Sequence, residues 1–104
     1  MSPAAGAVEL DLNCPVFQRQ LLALPKEGQW AVLRTLGRLA AMSWHEIYAD
    51  PGLRWEVILS RPGPGGGRLY SLRISQRFRA VACRDGNCLR LLSLHSDHDP
   101  AYGR

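Results

Sequence analysis

A chain of 104 residues builds one small core and excludes a multidomain enzyme. With 46% hydrophobic and 21% charged residues it also excludes a wholly disordered or collagen-like chain. The formal charge of +4 comes from twelve arginines and a single lysine, Lys26, most of the arginines falling between Arg54 and Arg90 with Glu56 and Asp85 as the carboxylates among them. Arginine's planar fork suits phosphate, so nucleic acid is one partner this balance admits, and ordinary surface charge is the other reading. Residues 1–7 carry neither the basic start nor the apolar run of a secretory signal and read as a loose leader on a cytoplasmic protein. No apolar run approaches the roughly 20 residues of a membrane span, so no membrane role is expected.

Val8, Leu10 and Leu12 alternate with Glu9, Asp11 and Asn13, which predicts a short strand. Pro15 suits the first turn of a helix whose apolar face is Phe17, Leu21 and Leu24, and Pro25 closes it. From Lys26 to about Met42, Trp30, Leu33, Leu36, Leu39 and Ala40 recur at helical spacing, completing a helical hairpin that packs on something flat. Ser43 and Glu46 form a capping-box pattern for a further short turn, stopped by Pro51 and Gly52.

After Gly52 the period becomes two. Leu53, Trp55, Val57 and Leu59 are expected on one face of a strand and Arg54, Glu56 and Ile58 on the other. The Pro62–Gly67 stretch is a loop. Tyr70, Leu72 and Ile74 mark the next strand, which turns tightly at Ser75-Gln76 into Phe78–Arg84. Asp85-Gly86 is a two-residue hairpin signal and predicts a returning strand, Cys88–Leu94, with partners whose numbers sum to 171, so that Cys83 faces Cys88 and Arg79 faces Leu92. The order of elements predicts a single α+β domain over residues 8–104: an N-terminal strand, a helical hairpin, then a mostly antiparallel sheet of about four strands.

Three cysteines and no export signal argue for reduced thiols, although opposed strand positions would let Cys83 and Cys88 join on air oxidation. Cys83, Cys88, His95 and His98 could be considered as zinc ligands, but their spacing departs from that of zinc sites, and the expectation is no metal and no cofactor.

The run Leu69–Val81, the Asp85-Gly86 turn and the ending Leu91–Tyr102 resemble the RelE/ParE toxin superfamily in their strand, aromatic-Arg-apolar and closing-tyrosine pattern. The resemblance spans roughly residues 8–102, its specific part about half of that. It implies a metal-independent ribonuclease that cuts mRNA on the ribosome, held by an acidic antitoxin, with a homodimer also compatible. On the matching positions it assigns Arg79 and Arg73 to phosphate and Tyr102 to orienting substrate, while Arg54 and Arg77, outside the motif, are expected to add basic surface for RNA. His95 or His98 would transfer protons, with Glu56 as reserve base. Ser71 stands where the RelE branch commonly has a lysine, and His95, Asp97, His98 and Asp99 stand where arginine is expected. That shifts the likeness toward the YoeB and HigB branches. A non-catalytic, ParE-like binder of a protein such as gyrase is the competing implication, and solvated surface charge is the plain alternative for each of these residues.

Overall fold

In the computed structural model, which describes residues 6–60 and 62–96, a short strand β1 (Glu9–Asp11) leads into helices α1 (Pro15–Ala23), α2 (Lys26–Leu39) and α3 (Trp44–Ala49). The strands β2 (Glu56–Ile58), β3 (Leu69–Arg73), β4 (Phe78–Asp85) and β5 (Cys88–Ser96) follow, with one 3₁₀ turn at Pro64–Gly66. They form a single sheet in the order β1-β5-β4-β3-β2, in which β1 runs parallel to β5 and every other pair is antiparallel. The sheet therefore has five strands rather than about four, because the N-terminal strand joins it. No helix among the described residues is long and apolar enough to cross a membrane.

Helix α1 starts on Pro15, where a missing N–H costs nothing, and drives Phe17 into the core. The buried stripe of α2 is Gly28, Val32, Thr35, Leu36 and Leu39, not the stripe expected through Trp30 and Leu33, which are 57% and 52% exposed. Apolarity alone misplaced the face because a glycine and a threonine fill it. Gly28 lies beside Leu24 and Phe78, where a Cβ would meet the Phe78 ring at an ordinary contact distance of 3.6 Å, and Thr35 Oγ1 donates to the Ile74 carbonyl at 2.8 Å, tying helix to sheet. Helix α3 carries the expected capping box: Ser43 Oγ accepts from the Glu46 N–H at 3.2 Å and Glu46 Oε1 from the Ser43 N–H at 2.9 Å. Trp44 and Trp55 meet edge-on, Trp55 stacks on Tyr70, and the Arg84 guanidinium lies 4.4 Å from the Trp44 ring, fastening α3 to the sheet.

All three helices lie on one face of the sheet, where Leu72, Ile74, Ala80, Ala82, Leu89, Leu91 and Leu94 meet Phe17, Val32, Leu36, Leu39 and Ile47. Among the described residues the other face carries no helix, and its small apolar patch is Ile58, Leu69 and Val81 with Leu92 against them. The segment before β2 departs from simple alternation. Arg54 has a left-handed backbone (φ 51°), Leu53 and Trp55 are buried as expected, and Val57 and Leu59 are exposed at the sheet's edge. Ile58 packs on the uncovered face, opposite the helices.

The β4–β5 hairpin has a different register from the expected one. Asp85 pairs with Cys88 and Cys83 with Arg90, so the turn residues are Gly86-Asn87, with the positive φ of 59° at Gly86. Cys83 and Cys88 are thus on one face but offset by two residues, and no disulfide joins them. Burial pushes both thiols up from their ordinary pKa, which keeps them protonated and unreactive near neutral pH. A bulge then falls between Val81 and Ala82: Ala82 pairs with Leu91 and Val81 with Ser93, leaving Leu92 as the extra residue. Beyond it Arg79 pairs with His95 instead of Leu92.

At the opposite edge, Arg90 Nε donates to Asp11 Oδ2 at 2.9 Å and the Asn13 N–H donates to Asp11 Oδ1 at 2.9 Å. The Asn13 backbone bond first, and the Arg90 bond second, hold the Asp11 carboxyl below its ordinary value. A carboxyl depressed in the folded state contributes stability that is complete above its unfolded pKa of about 3.9 and is lost as pH falls through the lower folded value. Wild type is expected to exceed Asp11→Asn in melting temperature at pH 7. The gap should close as pH falls below about 4. A gap that stays constant down to pH 2.5 in paired thermal melts would contradict that role.

Candidate functional site

Because antiparallel partners share a face, the observed register sorts the polar residues of β2–β5 without further assumption. Arg73 pairs with Arg79 and Arg79 with His95, forming one cross-strand row on the uncovered face. The next row holds Glu56, Ser71, Val81 and Ser93. Ser93 Oγ and His95 Nε2 are 2.8 Å apart, a hydrogen bond between residues two apart on one strand that fixes the imidazole's orientation. Ser93 was not anticipated, although its spacing from His95 on an alternating strand puts both on one face. The Arg73 Nε–H is buried and has no hydrogen-bond partner among the described residues. With Arg79 beside it, the row carries two guanidinium groups on one face, and such a pair suits an anion.

The other candidates are placed differently. Glu56 is exposed on the same face but stands three strand spacings from His95, about 14 Å. It is therefore too far to share one proton-transfer event with that histidine. Arg54 lies on the exposed link before β2, outside the sheet pairing. Arg77 is in the β3–β4 turn and lines a cleft on the helix side with Glu27, Gly28 and Phe78. His98 and Tyr102 lie outside the described residues. Among the described residues no three His, Cys, Asp or Glu side chains gather in a way that could hold a metal ion.

Beside the row, between the end of β5 and α1, is a second cleft of about 240 Å³, lined by Gln20, Leu24, Phe78, Leu94 and His95. β1 covers β5 only along Cys88–Arg90. Past that point α1 and the link before it supply the partners: Cys14 Sγ donates to the Leu92 carbonyl at 3.3 Å and Gln20 Oε1 accepts from the Leu94 N–H at 2.6 Å. Nothing in the sequence of α1 marked Gln20 in advance, because its role depends on how far β1 runs.

No protein-family model and no curated protein matches the chain. Among solved structures, it is similar to the archaeal RelE–RelB complex of Pyrococcus horikoshii, with 15% identity and a TM-score of 0.61 over 88% of this chain and 97% of that one. It is also similar to a conserved hypothetical protein of Helicobacter pylori, with 18% identity and a TM-score of 0.58 over 88% and 97%. A copper-bound mutant toxin from Helicobacter pylori has 19% identity and a TM-score of 0.50 over 86% and 94%. The chain has the RelE-type fold, as its strand and motif order had suggested.

Proposed function

We propose that the protein is a toxin-type endoribonuclease that takes single-stranded mRNA, on the ribosome, across the uncovered face of its sheet. The observation that carries this reading is the row Arg73–Arg79–His95 on one face of a RelE-type fold. Two adjacent guanidinium groups hold a phosphate and stabilise the charge that builds as it becomes five-coordinate. His95 lies next to Arg79 and handles a proton there. In the step itself the ribose 2′-oxygen gives its proton to a base and attacks phosphorus. The bond to the 5′-oxygen breaks, and that oxygen is protonated as it leaves. The products are a 2′,3′-cyclic phosphate and a 5′-hydroxyl, so the step needs no metal. The second proton-transfer group is assigned to His98 or Tyr102, the C-terminal residues singled out by the resemblance. A net charge of +4 suits an acidic antitoxin as the restraining partner, and the archaeal relative was solved as a RelE–RelB complex.

The test is induction in cells with mapping of mRNA ends, together with RNA binding by the purified protein at two salt concentrations. Growth arrest, 2′,3′-cyclic phosphate ends and cleavage that survives chelator are expected. Affinity should fall steeply between about 50 and 200 mM salt as neutralised phosphates release counterions, with a smaller salt slope in Arg79→Ala. Binding indifferent to salt would reduce the row to ordinary surface charge. One observation favours a second reading, a ParE-like binder of a protein target: the place where the RelE branch commonly has lysine is Ser71, 5% exposed and without charge. Growth arrest with intact mRNA would select it.

A further inference from the structure

We infer that the cleft between α1 and the end of β5 is a nucleobase subsite that prefers keto bases, guanine and uracil, with Gln20 as the reading residue and Phe78 as the stacking platform. This rests on the ribonuclease reading of the row and adds the identity of the base beside the bound phosphate.

Three observations combine. The cleft shares His95 with the row, so a ligand held by Arg79 is at its mouth. Phe78 and Arg79 are consecutive on β4 and point to opposite faces, and His95, which pairs with Arg79 and also lines the cleft, is the residue common to both. At about 240 Å³, below the roughly 300–1,000 Å³ of drug-sized pockets, the cleft has room for one base. Its walls are Leu24, Leu94 and the Phe78 ring, and every base has a face that stacks on an aromatic ring.

The Gln20 amide supplies the selectivity. A backbone N–H can only donate, so the 2.6 Å bond from Leu94 settles which end of the amide is oxygen and turns the NH₂ group away from β5. A glutamine that reads adenine turns both its oxygen and its nitrogen to the base, and here the Leu94 N–H holds the oxygen toward β5. What remains is a donor pair. It matches the O6 and N7 acceptors of guanine or the O4 of uracil, and it meets the amino groups of adenine and cytosine donor to donor.

The experiment uses the full chain and four 2′-O-methyl trinucleotides that differ only in the central base, which bind but cannot be cleaved, titrated at low salt. Guanine and uracil are expected to bind about 10-fold more tightly than adenine and cytosine, from the difference of one hydrogen bond made and one refused. Gln20→Glu keeps an oxygen for the Leu94 N–H and removes the donor pair, so it should erase or invert the preference while the salt slope set by Arg79 stays. Phe78→Leu should weaken all four by a similar factor, with circular dichroism confirming the fold. Equal binding of the four bases, or a preference untouched by Gln20→Glu, overturns the subsite even if the protein cleaves RNA. A keto preference in a protein that does not cleave retains the subsite and removes only the ribonuclease reading. Failure of every trinucleotide to bind overturns both.

Discussion

Replacing His95 by alanine is expected to lower the rate of RNA cleavage about 10²–10⁴-fold while RNA affinity changes by less than about threefold. Arg79→Ala, by contrast, should damage both. The distinction follows from what each side chain offers the same phosphate. A guanidinium contributes a fixed positive charge before and during the reaction, so its loss weakens the ground state and the transition state together. An imidazole that moves a proton contributes only as the bond to the 5′-oxygen breaks or the 2′-oxygen attacks. Ser93→Ala should fall between wild type and His95→Ala, because Ser93 Oγ at 2.8 Å orients the ring without touching substrate. Single-turnover cleavage and equilibrium binding, measured on the same three variants, separate these effects. A His95→Ala protein that cleaves at the wild-type rate would move proton transfer elsewhere, and one that loses binding as severely as Arg79→Ala would make His95 a contact residue.

The juxtaposition behind that expectation shows what a linear reading can and cannot reach. Alternation after Gly52 was enough to place Arg73 and Arg79 on neighbouring strands, and the Ser43/Glu46 capping box was legible because both of its bonds are local. The partner of Arg79 was not legible. Asp85-Gly86 and Gly86-Asn87 are both acceptable two-residue turns, and the choice between them moves every pair by two residues in sum. The chain takes the second, then gains one more residue at Leu92, whose side chain packs with Ile58, Leu69 and Val81 from three other strands. Packing across four strands decides that bulge, and no local pattern encodes it. The consequence reaches the proposed site, since without the extra residue His95 would not stand opposite Arg79. The face of α2 was hidden for a related reason: Gly28 is buried beside Leu24 and Phe78 and Thr35 bonds to the Ile74 carbonyl, and neither looks like core in isolation. The five-stranded sheet likewise depended on a three-residue strand finding the parallel edge of β5.

Phe17→Ala is expected to destabilise the fold by about 3–5 kcal/mol, the largest stability effect of any single substitution considered. Phe17 is 1% exposed and is the buried anchor of α1, a nine-residue helix too short to persist alone. Removing its ring leaves a cavity between α1 and the sheet that the surrounding leucines and alanines can only partly fill. For a domain of about 100 residues each 1 kcal/mol moves the melting temperature by roughly 4–8 °C, so a drop well above 12 °C is expected, against a total stability of only about 5–15 kcal/mol. Leu22→Ala on the same helix is the control: it is 74% exposed, and its effect should stay within about 0.5 kcal/mol. The site registers the change as well. Once α1 loosens, the Leu94 N–H loses Gln20 and one wall of the cleft beside His95 goes with it. Base preference in Phe17→Ala should therefore fade at temperatures where circular dichroism still reports a folded sheet, whereas the salt-dependent phosphate binding of Arg73 and Arg79, which sit on β3 and β4, should persist until the sheet melts. Equal melting temperatures for Phe17→Ala and Leu22→Ala would mean that α1 is not docked through this ring, and the cleft built on its Gln20 would fall with it.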